Sequence, residues 1–181
     1  MAVPDLKWPR VLFVALLVLL LFFGINHLYQ RYFKNENLIE ALCSLEGIAA
    51  AEIISEKGTE IAVITPDNSY QGELESLFDA VEKEISGYYR IQPAIEIKDR
   101  RSALLHRFAS DVSPDLYGAA RTGCYREAAH EVGQVAAACG LTDYLFTVDS
   151  RHIYLQARDG SSYLYIIVPL PSDQEGGAAH A

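Results

Sequence analysis

Apolar side chains run unbroken from Val11 to Ile25, then recur every three or four positions, then alternate, and these patterns divide the chain. The unbroken run, VLFVALLVLLLFFGI, has 15 residues and no polar side chain. As a helix rising about 1.5 Å per residue it covers about 22 Å, short of a hydrocarbon core of about 30 Å. Trp8 before it and Leu28, Tyr29, Tyr32 and Phe33 after it lengthen it with residues that suit a membrane interface. A secretory signal peptide is the rival reading, because Lys7 and Arg10 precede a stretch of h-region length. GINHLYQRYFK, however, is bulky where a small-residue cleavage site would lie. The pattern therefore predicts a short amino-terminal tail and a single uncleaved anchor within residues 1–34, touching the membrane through residues 11–25. Lys7 and Arg10 on one side are balanced by Arg31 and Lys34 on the other. The short tail with its α-amine predicts a cytoplasmic amino terminus and a carboxy-terminal part outside the cytoplasm.

Past the anchor, KNEN at 34–37 interrupts the apolar pattern and offers Asn35 or Asn37 as a cap for a new helix carrying Leu38, Ile39, Leu42 and Leu45, with Gly47 as its stop. IAAAEIISE and TEIAVIT are strand-like and joined by a Lys-Gly turn. Leu74, Leu77, Phe78, Val81 and Ile85 then mark one face of a helix, and Ile91, Pro93, Ile95 and Ile97 alternate as a strand whose proline suggests an edge. Residues 36–99 thus read α-β-β-α-β. Residues 101–112 read as a helix, Ser113-Pro114-Asp115 as the start of a second one running to Gly140, and DYLFTVD, HIYLQAR and SYLYIIVPL as an antiparallel meander turning at Asp159-Gly160. Residues 101–170 are therefore α-α-β-β-β. The fold class predicted is α+β, two layers of helix on antiparallel sheet in each unit, with residues 171–181 a disordered tail.

Half of the residues are hydrophobic, enough for a core beyond the anchor. The formal net charge is −9, and setting aside Asp5, Lys7 and Arg10 leaves the remainder one unit more acidic. That balance speaks against nucleic acid as a partner, since phosphate binding is largely electrostatic. The one basic cluster, Lys98 to Arg101, reads as an exposed boundary between units. Cys43, Cys124 and Cys139 cannot all pair within one chain; Cys124 and Cys139 are expected on one helix and too far apart to bridge, which leaves a bridge to Cys43 or three buried thiols.

The most suggestive chemistry is AAHEVGQ at 128–134, one residue from the His-Glu-x-x-His zinc signature. That signature needs imidazoles at i and i+4 on one metal and the glutamate as base. Here Gln134 occupies the second ligand position, and Ala137 and Gly140 stand where the extended pattern asks for glycine and a third histidine. On a helix Gln134, Glu127 and Glu131 fall within about 100° of His130 while Tyr125, Ala128, Val132, Val135, Ala136 and Cys139 lie opposite, so the pair is expected on a solvated face. No phosphate-cradling glycine loop, Gly-x-Ser-x-Gly elbow or paired Cys-x-x-Cys is present, and His27, His106, His130, His152 and His180 are scattered. Asp79 and Lys83 read as an i,i+4 pair, and Tyr144, Tyr154, Tyr163 and Tyr165 as cross-strand packing or a binding face. No catalytic residue, cofactor or metal is predicted.

LIEALCSLEGIAAAEIISEKGTEIAVITPDN, an amphipathic helix and PAIEIKD together resemble the small membrane-tethered domains called ring-building motifs, found in secretion-system rings and sporulation channels, with relatives in spore lipoproteins. The resemblance covers residues 36–99, not the carboxy-terminal half, and no lipid-attachment cysteine follows the apolar run. It implies a membrane-anchored scaffold or assembly protein working through protein contacts or self-association. Two other readings stand beside it: a membrane-tethered ligand-binding or sensor module built on the tyrosine-rich meander, and a degenerate metal hydrolase around His130 and Glu131 with His106 or His152 as further ligands.

Overall fold

Ten elements appear in the computed structural model, which describes residues 8–171 except 57, 69 and 90; within the first helix, side chains are described only for residues 15–23 and 35–43. They are α1 (Trp8–Cys43), β1 (Ile48–Glu56), β2 (Thr59–Pro66), α2 (Leu74–Tyr88), β3 (Ala94–Ile97), α3 (Ala103–Thr122), α4 (Tyr125–Cys139), β4 (Asp143–Val148), β5 (His152–Asp159) and β6 (Ser162–Pro169). The class is α+β, with two three-stranded sheets ordered β1-β2-β3 and β4-β5-β6. The tail read as disordered lies outside the described residues beyond Pro171, as do residues 1–7 of the amino-terminal tail.

In the first sheet Ala51, Ile53, Ala62, Ile64, Ile95 and Ile97 face one way. Leu38 and Leu42 of α1 and Leu77, Val81 and Ile85 of α2 cover them. Full burial of each such side chain is worth about 1.5–3 kcal/mol against exposure. The sheet is mixed rather than antiparallel as expected: β1 and β2 form a hairpin, but β2 and β3 pair in parallel. The cause is α2, a crossover helix that returns the chain to the end from which β2 started. β3 lies at the sheet edge, as Pro93 suggested, whereas Ile91, assigned to the same strand, precedes it and is 87% exposed.

The second sheet is an antiparallel meander. Phe146, Val148, Ile153, Leu155, Leu164, Ile166 and Val168 face α3 and α4 and meet Leu105, Phe108, Val112, Leu116, Val132 and Ala136. Its opposite face is not left to water, because Leu74 and Phe78 of α2 pack on Tyr154 and Tyr165. α2 therefore belongs to both units. The sheets also meet at their facing edges: just past β3, Arg100 exchanges both backbone hydrogen bonds with Tyr163 of β6, at 3.0 and 2.9 Å.

Three expectations about the helices are corrected. KNEN does not start a new helix; α1 runs through it, across the boundary placed at residues 34–36. Asn35 caps nothing because it lies inside α1, and its Oδ1 accepts a 2.7 Å hydrogen bond from the Tyr89 hydroxyl. Pro114 starts nothing either: α3 is already running from Ser102, whose Oγ accepts from the Leu105 N–H at 3.2 Å. Pro114 sits on the exposed side, and Ser113 donates to the Ala109 carbonyl at 2.5 Å rather than capping. The real break is Gly123, at φ 75°, a left-handed stop that costs glycine little. Cys124 consequently precedes α4, and no cysteine is bridged; Cys43 and Cys124 are exposed and Cys139 is half-buried, not three buried thiols.

The described apolar side chains in the amino-terminal part of α1, Leu16 to Phe23, are 47–72% exposed. Among the described residues no helix is long and apolar enough to cross a membrane. The flanking side chains of the membrane segment assigned to residues 11–25 lie outside the described residues.

Candidate functional site

The chemistry singled out on α4 does not assemble. His130 and Glu131 are both exposed, and the His130 Nε2 is 2.7 Å from the Gln134 amide nitrogen, so the imidazole is held by its own helix. His106 lies exposed on α3, and His152 lies on β5 against α2. The three proposed ligands thus stand on three elements, and among the described residues no group of three or more His, Cys, Asp or Glu side chains converges on a metal position. His27 and His180 fall outside the described side chains.

The tyrosines divide by strand parity. Tyr144 turns toward α4, where a Cβ placed on Gly133 would come within 3.2 Å of its hydroxyl. Tyr154, Tyr163 and Tyr165 turn toward α2, with the Tyr163 and Tyr165 rings 5.4 Å apart.

What does assemble is a polar cluster where α2 meets the turn before β5. Asp149 Oδ1 accepts from the backbone N–H groups of Arg151 at 2.6 Å and His152 at 2.5 Å, and its Oδ2 accepts from the Tyr154 hydroxyl at 3.1 Å. Burial alone would raise the Asp149 carboxyl, but these three donors outweigh it and hold it below the ordinary aspartate value. Tyr154 is pushed the other way, upward, by burial first and then by its bond to Asp149. His152 Nδ1 is 3.3 Å from the same hydroxyl, and its ring meets Phe78 edge-on at 5.0 Å.

Arg151 reaches from this turn to α2, 3.2 Å from Asp79 and 2.5 Å from Glu82. Asp79, expected to pair with Lys83 one turn on, is thereby tied to the other unit. One strand residue completes the junction: Gln156 Oε1 accepts from the Leu74 N–H at 2.6 Å. The helix residue before it, Glu73, supplies no side-chain cap, so a side chain 82 positions away satisfies an orphan donor of the first turn of α2. None of these partnerships was read from the sequence.

Beside this junction the edge strands β3 and β6 neighbour each other next to the isolated Arg100–Tyr163 bridge. A groove of about 390 Å³ opens between them, lined by the apolar Ile95, Ile97, Tyr165 and Ile167 and by the charged Glu96, Lys98, Asp99 and Arg101. The basic run at 98–101, expected as an exposed boundary between units, lies along the seam where the two sheets meet. Lys98 pairs with Glu52 at 2.7 Å, Arg101 pairs with Asp99 at 2.6 Å, and Arg100 donates to the Ser161 carbonyl with its guanidinium over the Tyr163 ring.

These arrangements fix the two units against each other. No protein-family model matches the chain, and no curated protein matches it in sequence.

Proposed function

We propose that the chain is a single-pass membrane-anchored scaffold or assembly protein that acts through protein contacts. The observation that carries this reading is the row of apolar side chains from Leu16 to Phe23, exposed on the same unbroken helix whose far end places Leu38 and Leu42 in the first core. Water disfavours such a surface at about 25 cal/mol per Å². The described residues 15–23 rise only about 13 Å as a helix. The proposed span therefore uses the whole run from Val11 to Ile25 with its aromatic flanks. Because α1 continues into the first unit without a break, that unit would be held at a fixed angle to the membrane. The resemblance of residues 36–99 to ring-building motifs and the outer strand edges β1 and β4 support the contact role. In this reading the amino terminus is cytoplasmic and both α/β units lie outside the cytoplasm.

Two measurements on full-length chain test this. Alkaline extraction should leave it in the membrane pellet, and cross-linking in intact membranes should recover it in species heavier than the monomer. Release into the supernatant, or monomer alone, would contradict the proposal. A compartment-specific reporter fused after Ala181 should be active outside the cytoplasm; activity inside would reverse the assigned orientation.

A second reading, a tethered ligand-binding module, is favoured by the groove between β3 and β6. A thermal shift of the purified protein with small metabolites that disappears in Tyr165→Ala would support it, and no shift across a broad panel would end it.

A further inference from the structure

The outer face of the first sheet is uncovered. By register, Ala50, Glu52, Ile54 and Glu56 of β1, Ile61, Val63 and Thr65 of β2, and Ala94 and Glu96 of β3 point away from α1 and α2. Ile54, Ile61 and Ala94 are direct cross-strand neighbours, so one apolar row crosses all three strands. Glu52, Val63 and Glu96 form the next row. Above it the Glu52–Lys98 ion pair reaches over β2, and Val63 beneath is only 3% exposed. A sheet face left to water ordinarily alternates to polar side chains, yet here Ile54 stays 40% exposed, with Ala94 exposed in the same row and Ala50 exposed two rows along.

Charge identifies what would cover it. Glu52, Glu56 and Glu96 frame the apolar row, and Lys98 is the only cation among the described residues of this face. A second copy laid face to face would set Glu52 and Glu96 against their equivalents, and an anionic lipid surface would be repelled in the same way. We propose that this face docks a protein segment with an apolar centre flanked by Lys or Arg. The assignment deepens the protein-contact reading above and rests on it.

Photo-crosslinking in intact cells tests it with the full-length chain. A photoreactive amino acid is placed at position Ile54 or Ala94, with Tyr117, exposed on α3, as the control position. The expected result is one adduct from positions 54 and 94 whose partner peptide carries apolar residues between basic ones. Glu96→Lys, which leaves the Glu52–Lys98 pair in place, should weaken that adduct roughly tenfold, as expected for loss of electrostatic steering, with the unfolding temperature unchanged. Adducts to a second copy, to lipid or to an acidic peptide would overturn the proposal, as would insensitivity to Glu96→Lys. Adducts at Tyr117 without any at 54 or 94 would remove this face while leaving the scaffold reading standing. No adduct at any position would remove both.

Discussion

The two sheets have the same number of strands and opposite surroundings. The β4-β5-β6 sheet is covered by α3 and α4 on one side and by α2 on the other, so it is the interior of the molecule. The β1-β2-β3 sheet is covered on one side only and carries Ile54, Ile61 and Ala94 on the other. Strand chemistry reflects this in an unexpected direction. β5 alternates between an aliphatic face of Ile153, Leu155 and Ala157 and a face with polar groups, His152, Tyr154 and Gln156, that find partners on or next to α2. β2 carries Ile61 and Val63 on the face that no helix covers. The lesson is that the first unit leaves apolar side chains on a face no helix covers, while the second uses both of its faces in the fold.

The largest effect should come from the doubly covered sheet. Phe108→Ala opens a cavity at a fully buried position between α3 and the meander, and should cost about 3–5 kcal/mol in denaturant unfolding. Next is the shared helix. Phe78→Ala, which strips α2 of its contact with Tyr154 and His152, should cost about 3 kcal/mol and split a single unfolding transition into two as the units uncouple. A single unchanged transition would mean that α2 does not couple them. Smaller again is Gln156→Leu, which leaves the Leu74 N–H without its acceptor and should cost about 1–2 kcal/mol.

Acid should act on the same junction. Asp149 is held below its ordinary value of 3.8 in the folded chain, so its contribution is fully present above that value and is lost as pH falls through the lowered folded one. Acid titration of stability should lose a step in Asp149→Asn. The smallest effect belongs to the open face: Ile54→Ser should change stability by no more than about 0.5 kcal/mol. A large loss there would show that the face is covered within the chain itself.

Order of elements was legible because each carries its own period and stop: Leu74 to Ile85 at helical spacing, Gly160 between two alternating runs, Pro93 beside an edge strand. The misread positions are those where a distant partner took over a local signal. Asn35 looked like a cap and instead receives Tyr89, and Ser113 and Pro114 looked like a helix start inside a helix capped eleven residues earlier by Ser102. The parallel pairing of β2 with β3 was within reach, since a strand, a helix of this length and a strand is the spacing of a crossover. The junction was not. Gln156 meets Leu74 and Arg151 meets Asp79 across more than 70 positions, and no periodicity in either segment announces the other. His130 and Glu131 show the converse, a motif-like string in which both side chains are exposed and His130 contacts Gln134 of its own helix.

The most direct measurement is carboxyl footprinting of the full-length chain, in intact membranes and again after purification in detergent. Glu52 and Glu96 on the open face should label freely when purified and be protected in the membrane, while Glu127 and Glu131 on α4 label equally in both. Equal labelling of Glu52 and Glu96 in the two states would contradict the claim that this face is occupied where the protein works.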